Sequence, residues 1–514
     1  MYLCFFISKA FGSLSYEVYH FPKDKKLRIK LEFTSPNSNQ TELYIPHQVW
    51  GHDLSNQIKN IHVENGVFIK NANKITHKPN QKIIVWYDIL NTQEKLGSSY
   101  YTYIIDQGFY FLYKFALICP KLYTNGESID VDIKFASHND VFTNFGNIAA
   151  NKIQKLNLTA DNLISKGFAI SGNHSILQNV NYKGNNIIFF SIDTKSQERL
   201  TKLLYEIINA QERFFETKNN DNLFVFINNH RKHNSFYGTL IGGNTVLYLL
   251  PEKFNVNDFN IKHLLAHENL HKWIGNTLIK EKEETLYKWF TEGFTQYFTD
   301  KINLTNGIVT FEEYLGNYNK ILQKYYTSPY LLFDNETISK LYWDNALASE
   351  LPYDRGYIIA SVLDIKIQNL TNTQFSLDNL IKTIVANHIH NKKEKFTTSI
   401  MRQYINNITK NNLKRTVNKF VKYGNFDLSN FLNNSKLHYK KIAINDYGFD
   451  ITNFQKIVSN LKKDSTAYKA GLRNNDKFKK IHISQKNQEA VAEITIELIN
   501  GRLIKIPEYT SIYK

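Results

Sequence analysis

The stretch IKHLLAHENLHKWIGNTLIKEKEETLYKWFTEGFTQYF, residues 261–298, decides the fold and the chemistry expected of this chain. An apolar run, Leu264-Leu265-Ala266, leads into the pentapeptide 267–271, which has the pattern H-E-x-x-H. If this segment is helical, His267 and His271 lie one turn apart on the same face. Two imidazoles so placed can bind one metal ion, with Glu268 beside it as a base.

A second helix is predicted around Glu292, twenty-one positions after His271. Apolar side chains recur there at helical spacing, at Leu286, Trp289, Phe290, Phe294 and Phe298. A carboxylate among them is costly unless it is paired or binds a metal, so Glu292 is a candidate third ligand. Two histidines and a carboxylate suit zinc, which keeps one position open for water in catalytic sites. The stretch therefore predicts a zinc hydrolase; the alternative is an amphipathic helix that merely carries two histidines.

Composition limits the other functions of the chain. The 514 residues allow two to four domains, and 42% hydrophobic with 21% charged residues is typical of a globular protein. The net charge of +16 would suit an anionic partner. However, the basic residues of 392–422 alternate with apolar ones, as on the solvated faces of packed helices, and no nucleic-acid motif occurs. We expect no nucleic-acid partner.

Cysteine usage and apolar runs restrict the site and the compartment. Cys4 and Cys119 are the only cysteines, so a metal site must use histidine and carboxylate ligands. No apolar run approaches the roughly 18 residues that span a bilayer, which predicts no transmembrane segment. Residues 1–14 resemble a truncated signal segment without a basic start. A periplasmic or secreted location is therefore expected as much as a cytoplasmic one.

The order of patterns along the chain predicts its domains. Residues 15–195 alternate polar and apolar side chains between Asn, Gly and Pro turns, which indicates an N-terminal β-sandwich. From 196 to about 432 the pattern is mostly helical, with a helix predicted at about 258–276 and another that begins near Tyr353, after Pro352. Residues 439–514 form a small β-rich module, with a short helix near Ala467–Ala470 that Gly471 ends.

A glycine-bearing segment, Tyr237–Leu250, precedes the predicted metal helix. Gly242 and Gly243 permit a close approach of backbone to a ligand; the alternative is a plain turn. Together with Asn244 they are the candidate substrate-binding residues. The segment Gly242–Tyr248 would bind a substrate backbone as an added strand.

Residues 266–298 resemble the gluzincin metallopeptidases, in which a glutamate of a W-x-x-E-G-F-T helix completes the H-E-x-x-H site. Trp273 and the run Trp289-Phe-Thr-Glu-Gly-Phe-Thr-Gln-Tyr are most similar to the glycyl aminopeptidase family of that clan. Pro352-Tyr-Asp-Arg-Gly is similar to the P-Y-x-x-G element of the family, and Asp464–Phe478 resembles a segment of a PDZ domain. The resemblance covers nearly the whole chain, from about residue 15 onward.

The resemblance implies a multidomain α+β protein. Its parts are the possible signal segment 1–14, an N-terminal β domain at 15–195, a thermolysin-like, mostly helical zincin catalytic domain at 196–438, and a PDZ-like domain at 439–514. It also implies that Tyr353 is a catalytic tyrosine. Tyr447-Gly-Phe is similar to the PDZ loop that binds a C-terminal carboxylate, so a C-terminal peptide is an implied partner.

Two departures from the family bear on specificity. The family carries a G-G-L-E-H-type motif whose acid helps to define the amine end of the substrate cleft, but Phe236–Leu250 contains no acidic residue. Aminopeptidase action and cleavage within a peptide therefore both remain open. The PDZ-like segment has Thr466 in place of the usual proline and Asn475 in place of the usual glycine.

The predicted function is hydrolysis of peptide or protein substrates with one Zn²⁺ per chain, bound by His267, His271 and Glu292. Glu268 would accept the proton of the attacking water, and Tyr353, by resemblance, would hydrogen-bond the oxyanion. One alternative is a catalytically degenerate zincin that binds peptides or proteins through its PDZ-like domain. Another is a hydrolase that uses the same zinc ligands on a non-peptide substrate.

Overall fold

The structure is a computed structural model that describes residues 13–49, 52–54, 56–90, 102–124, 126–137, 139–182, 184–217, 223–230, 236–241, 244–275, 278–279, 283–328, 330–331, 333–390, 395–424, 443–446, 448–452, 457–487, 490–506 and 510–513. The chain divides into two compact units. The first comprises Met1–Leu203 and Asn219–Leu264, and the second comprises Leu204–Lys218 and Leu265–Lys514. The possible signal segment lies almost entirely outside the described residues.

The first unit is built mainly of β-strands, as the alternating pattern predicted. Its strands before residue 160 are β1 (Leu14–Phe21), β2 (Lys26–Thr34), β3 (Gln40–Tyr44), β4 (Gln48–Val49), β5 (His52–Asp53), β6 (Ile58–Glu64), β7 (Val67–Ile69), β8 (Lys74–Thr76), β9 (Lys82–Leu90), β10 (Thr102–Ile105), β11 (Gly108–Leu112), β12 (Cys119–Pro120), β13 (Ser128–Ala136), β14 (Val141–Thr143), β15 (Gly146–Ile148) and β16 (Ile153–Thr159). In β2 every second side chain is apolar and buried, because successive side chains of a strand point to opposite faces of the sheet. The buried ones are Leu27, Ile29, Leu31 and Phe33.

Helix α1 (Tyr113–Ala116) lies between β11 and β12, and α2 (Ala160–Lys166) lies between β16 and β17 (Phe168–Gly172). The largest sheet of the unit has the strand order β16-β13-β1-β2-β9-β6, in which β1 is parallel to β13 and antiparallel to β2. Further sheets have the orders β10-β11-β17-β14-β15 and β12-β3-β8-β7. Side chains from all three sheets share one buried apolar core.

A further sheet of the first unit contains the strands on both sides of the glycine segment. Its order is β18 (Leu177–Tyr182), β19 (Asn185–Phe190), β20 (Phe224–His230), β22 (Thr245–Pro251) and β21 (Tyr237–Ile241). Because β22 pairs with β20 on one side and β21 on the other, it cannot accept an added strand. The prediction that Gly242–Tyr248 binds a substrate in this way is therefore wrong for the described part of that segment. Among the described strands, β21 ends the sheet on this side.

The second unit is mostly helical up to residue 424, as the sequence predicted. They comprise the part of α3 (Thr194–Phe215) that lies in this unit, the part of α4 (Phe259–Leu270) that lies in it, and α5 (Thr295–Thr305), α6 (Phe311–Thr327), α7 (Asn335–Leu341), α8 (Ala346–Leu370), α9 (Leu377–His390), α10 (Thr398–Ile408) and α11 (Lys414–Tyr423). Short 3₁₀ and π segments occupy Thr285–Tyr287 and Trp289–Phe294. A single apolar core includes Trp289, Phe290 and Phe294.

Helix α8 begins earlier than the sequence predicted. Its first residue is Ala346, not a residue near Tyr353, and Pro352 lies inside it. The start is fixed by Asn345, whose side chain accepts a hydrogen bond from the backbone N–H of Ala348 at 3.0 Å. Pro352 was misread as a helix start because proline favours the first turn, whereas here it is the seventh residue of the helix.

The C-terminal module is β-rich, with the predicted short helix. Its elements are β23 (Ala443–Asp446), β24 (Asp450–Thr452), β25 (Ile457–Ser459), α12 (Thr466–Lys469), β26 (Phe478–Asn487), β27 (Ala490–Leu498), β28 (Leu503–Ile506) and β29 (Thr510–Tyr513). Ser465 caps α12, and Gly471 has φ of +99°, a conformation that favours glycine after a helix. The boundaries of the three predicted domains and of the possible signal segment stay a prediction. No helix in the described part of the chain is long and apolar enough to cross a membrane.

Candidate metal centre

His267 lies in the last turn of α4, and His271 directly follows the end of the helix, with its backbone N–H still bonded to the carbonyl oxygen of His267 at 3.3 Å. Leu265, Ala266 and Leu270 are fully buried and hold the opposite side of the helix. The Nε2 atoms of His267 and His271 are 3.1 Å apart. The Nδ1 atom of His271 lies 2.9 Å from the carbonyl oxygen of Ile274, which fixes the ring with Nε2 as its ligand atom.

Glu292 completes the cluster from a separate segment of the chain. It lies in the π-helical turn Trp289–Phe294, a rare geometry that is frequent at functional sites. Its Oε2 atom is 3.4 Å from Nε2 of His267 and 3.1 Å from Nε2 of His271. One ligand atom from each of the three residues lies within 4.8 Å of the other two. The predicted ligand set is therefore brought together in the fold.

The second oxygen of Glu292 is bound by a buried lysine. The Nζ atom of Lys288 lies 3.0 Å from Oε1 of Glu292 and 3.1 Å from Oε1 of Glu284. Burial alone would raise the pKa of Glu292, but the charge of Lys288, and next that of His271, hold it well below its usual range. Glu292 is therefore ionised, with one oxygen on the lysine and the other facing the imidazoles.

The same electrostatics act on the imidazole of His271. Burial would lower its pKa, but the carboxylate of Glu292 outweighs this effect and raises the pKa to about 9. Glu268 adds to the rise with its own negative charge. A cation is thus favoured at this point of the protein, and the buried cluster is suited to hold a positively charged ligand.

Two glycines bring Tyr353 to this cluster. A Cβ atom built on Gly293 would lie 2.4 Å from Cα of Gly356, and one built on Gly356 would lie 1.8 Å from the carbonyl oxygen of Trp289. The π-helical turn and α8 therefore touch backbone to backbone, which no larger residue permits. Tyr353, one turn before Gly356 on α8, has its ring 6.4 Å from that of His267.

Replacing Gly356 with alanine is expected to lower the free energy of unfolding by about 1–3 kcal/mol, because the added methyl group must push α8 away from the π-helical turn. Urea unfolding of the purified variant measures the change. Gly316→Ala, on α6, is the matched control, since nothing lies within 4 Å of a Cβ there and alanine is the better helix former. Equal stability of Gly356→Ala and the wild-type protein would contradict the close backbone contact.

The hydroxyl group of Tyr353 stays protonated in this environment. Burial, and next the charge of Glu292, raise its pKa well above the usual range. Tyr353 hydrogen-bonds the side chain of Tyr342, which is also buried. A neutral phenol can donate a hydrogen bond to an anion, as the sequence resemblance implied for this residue.

Gln211, on α3, makes two hydrogen bonds to α4, the helix that carries His267. Its side-chain nitrogen donates to the carbonyl oxygen of Ala266 at 2.7 Å, and its side-chain oxygen accepts a hydrogen bond from Asn269. Both side chains are fully buried. Because buried amides are costly when they lose a partner, this pair fixes the position of α4 against α3.

The structure brings some of the predicted site residues together and does not describe others. His267, His271 and Glu292 form the cluster, Glu268 is buried on α4 between the histidines, and Tyr353 lies beside it. Gly242 and Gly243 lie outside the described residues. Asn244 is a turn residue whose carbonyl oxygen accepts a hydrogen bond from the backbone N–H of Phe224 at 2.9 Å. The roles of these three in substrate binding stay predictions.

Sequence reasoning missed Lys288 and Tyr342. A signal for Lys288 was present, because Glu284, Lys288 and Glu292 follow one another at the four-residue spacing of helical ion pairs. Such pairs usually lie on exposed faces, and only the fold reveals that this lysine is 5% exposed. Tyr342 carries no sequence signal, since it comes from a turn before α8.

The cluster fits a zinc ion. Two imidazole nitrogens and a carboxylate oxygen are the donors that zinc takes in catalytic sites with three protein ligands. The contact between His271 and a backbone carbonyl is the kind that orients metal-bound imidazoles.

Comparison with known families identifies one match. Residues 260–334 match the M61 glycyl aminopeptidase family, a segment that contains the three candidate ligands and Glu268 but not Tyr353. A search of curated proteins finds no match.

Solved structures give a broader likeness. An aminopeptidase N family protein from Idiomarina loihiensis has a TM-score of 0.69 at 18% identity, over 97% of this chain and 96% of that one. Yeast LTA4 hydrolase in complex with bestatin has a TM-score of 0.49 at 12% identity, over 84% of this chain and 69% of that one. An M1 zinc metallopeptidase from Deinococcus radiodurans has a TM-score of 0.45 at 12% identity, over 81% and 94%. The first of these likenesses establishes the fold over nearly the whole chain, and the family match supports a metal-dependent peptidase.

Proposed function

We propose that this chain is a zinc-dependent peptidase that hydrolyses peptide bonds, with one zinc ion per chain held by His267, His271 and Glu292. The observation that carries the proposal is the convergence of three ligand atoms, one each from His267, His271 and Glu292, within 4.8 Å of one another. The match to the M61 family over residues 260–334, the segment that contains these ligands, also supports it. Zinc analysis of the purified protein tests it first, and the absence of stoichiometric zinc would contradict it.

Glu268 and Tyr353 have separate roles beside the zinc ion in the proposed reaction. When bound, zinc supplies Lewis-acid chemistry, because it polarises the scissile carbonyl and makes water more acidic. Glu268 accepts the proton of the attacking water and delivers it to the leaving amine. Tyr353 donates a hydrogen bond to the oxyanion of the tetrahedral intermediate, which its raised pKa allows because the phenol stays protonated.

Replacing Tyr353 with phenylalanine is expected to lower kcat by about 10²–10³-fold, the usual loss when one oxyanion donor is removed. KM and zinc content should change little, because the ring remains and the ligands are untouched. The matched control is Tyr357→Phe on the same helix. It loses a hydrogen bond of 2.9 Å to Asp300 and should lose stability without losing kcat. Equal kcat in Tyr353→Phe and the wild-type protein would remove Tyr353 from the mechanism.

The glycine segment bears on whether the enzyme requires the free amine end of its substrate. An aminopeptidase needs an acidic partner for the free amine of its substrate, and residues 236–250 provide none. Cleavage within a peptide is therefore an alternative to aminopeptidase action. A peptide library with free and with acetylated N-termini distinguishes the two. Cleavage of free-amine peptides only would restore strict aminopeptidase action, and cleavage of both sets would assign an endopeptidase.

The C-terminal module, residues 439–514, belongs to the proposal as a PDZ-like domain. A capped helix at Thr466–Lys469 followed by Gly471 supports it, since the resemblance lies in this segment. Tyr447 of the implied carboxylate loop lies outside the described residues, so binding of a C-terminal peptide stays a prediction. A degenerate zincin that acts only as a binding protein is not supported, because the ligands and Glu268 are all in place.

A further inference from the structure

Lys288 is a buried cation with no role in the reaction described so far. Its Nζ atom lies between the carboxylates of Glu284 and Glu292, at 3.1 and 3.0 Å. It also lies 5.6 Å from the centre of the Tyr342 ring, a distance typical of cation–π contacts. The residue as a whole is 5% exposed, whereas lysine is almost never buried to this degree unless paired.

The two oxygens of Glu292 have different partners. Oε1 accepts the hydrogen bond from Lys288, while Oε2 faces the Nε2 atoms of both histidines. A carboxylate that is free on both oxygens can bind a metal through one or both of them. With Oε1 held by the lysine, only Oε2 is presented to an ion between the imidazoles.

Stability alone gives no reason for this arrangement. A buried ion pair often recovers little more than its own desolvation cost, and an apolar residue in its place often leaves a protein equally stable. The lysine is, however, a neighbour of the proposed ligand, and groups that hydrogen-bond ligands orient them and set their strength as donors. Its position is therefore explained better by the metal centre than by the folding of the segment.

We propose that Lys288 is a positioning residue of the metal centre, which restricts Glu292 to a single coordinating oxygen and thereby leaves a coordination position for water and substrate. The inference rests on the proposed function, since it assigns a role beside the same ion. The ring of Tyr342 has its centre 5.6 Å from Nζ of the lysine, and the hydroxyl group of Tyr342 hydrogen-bonds that of Tyr353. Lys288 thus also supports the position of the tyrosine opposite His267.

The test uses Lys288→Met in the full chain, which keeps the length of the side chain and removes its charge and donors. We expect its dissociation constant for zinc to rise by about 10–100-fold, the usual effect of losing a group that orients a ligand. Competition with a chromophoric chelator measures this constant. We also expect the cobalt-substituted variant to absorb visible light more weakly than the wild-type protein, because cobalt absorption weakens as the coordination number increases.

The matched control is Lys340→Met. Lys340 pairs with Glu336 at the same four-residue spacing, at 2.7 Å, but both side chains are more than two-thirds exposed. It should bind zinc as the wild-type protein does. If Lys288→Met does not fold, Lys288→Gln replaces it, because the polar amide suits the buried position better, but it is shorter than lysine, carries no charge and should hold Oε1 less firmly. Its dissociation constant for zinc should exceed that of the wild-type protein.

The outcomes separate the inference from the function on which it rests. Wild-type protein that binds no zinc would overturn both. Wild-type protein that binds zinc, together with a Lys288 variant of equal zinc affinity and equal cobalt spectrum, would overturn the role of Lys288 and leave the peptidase in place. Weaker zinc binding and a changed spectrum in the Lys288 variant, with neither change in Lys340→Met, would support the inference.

Discussion

Replacing Glu268 with glutamine is expected to lower kcat by about 10²–10⁴-fold, the contribution of a general base, while the zinc content stays at that of the wild-type protein. Glutamine has the size and shape of glutamate but cannot accept a proton from water. Glu268 is not among the three residues whose ligand atoms converge, so the ion should remain bound. Turnover of a peptide substrate at saturating concentration and zinc analysis of the same sample measure the two quantities.

The comparison needs a control that removes a carboxylate elsewhere. Glu336→Gln is suitable, because Glu336 lies in the same unit and is highly exposed. It should retain both kcat and zinc. Full turnover in Glu268→Gln would exclude Glu268 as the base. Loss of zinc in that variant would instead show that Glu268 takes part in metal binding, which contradicts the division of roles proposed here.

Replacing His271 with alanine is expected to remove zinc and, with it, hydrolysis. Zinc sites with four protein ligands bind with about 10–16 kcal/mol, so one ligand contributes roughly 3 kcal/mol, on the order of 10²-fold in affinity. Zinc analysis after dialysis, together with a peptide-cleavage assay, checks the result.

His263→Ala is the matched control for this variant. His263 is one turn before His267 on α4, and its ring stacks on Phe259 at 5.5 Å, so it contributes no ligand. It should keep zinc and activity. A bound ion also stabilises the folded state by mass action, so added zinc should raise the melting temperature of the metal-free wild-type protein but not that of His271→Ala. Stoichiometric zinc in His271→Ala would contradict the ligand set.

The metal-centre proposal explains features of the helical unit that are otherwise separate. The glycine contact between positions 293 and 356 places Glu292 and Tyr353 on adjacent backbone segments. Lys288 then joins the two through Glu292 on one side and Tyr342 on the other. Glu292, Lys288 and Tyr353 thus belong to one packing arrangement. A substitution at any of the three should shift the positions of the other two.

Errors of the sequence predictions have identifiable physical causes. The strand at Thr245–Pro251 was taken as open to a substrate because its neighbours could not be inferred from periodicity. It is buried at every position, as is typical of a strand covered on both faces, and its pairing along both edges is seen only in the sheet. The start of α8 was placed too late because Pro352 is a stronger signal than Asn345, although the side chain of Asn345 is the actual cap.

Local sequence determined the identity of the candidate ligands. The spacing of His267 and His271 places both on one helical face whatever the rest of the protein does, and the strand and helix patterns follow from the same kind of periodicity. Only the tertiary structure decided what meets that face: Glu292 from a π-helical turn, Tyr353 through a backbone contact of two glycines, and a lysine on the second oxygen of the ligand. Periodicity specifies which side of an element is apolar but not which partner covers it, because burial and long-range packing depend on the whole chain.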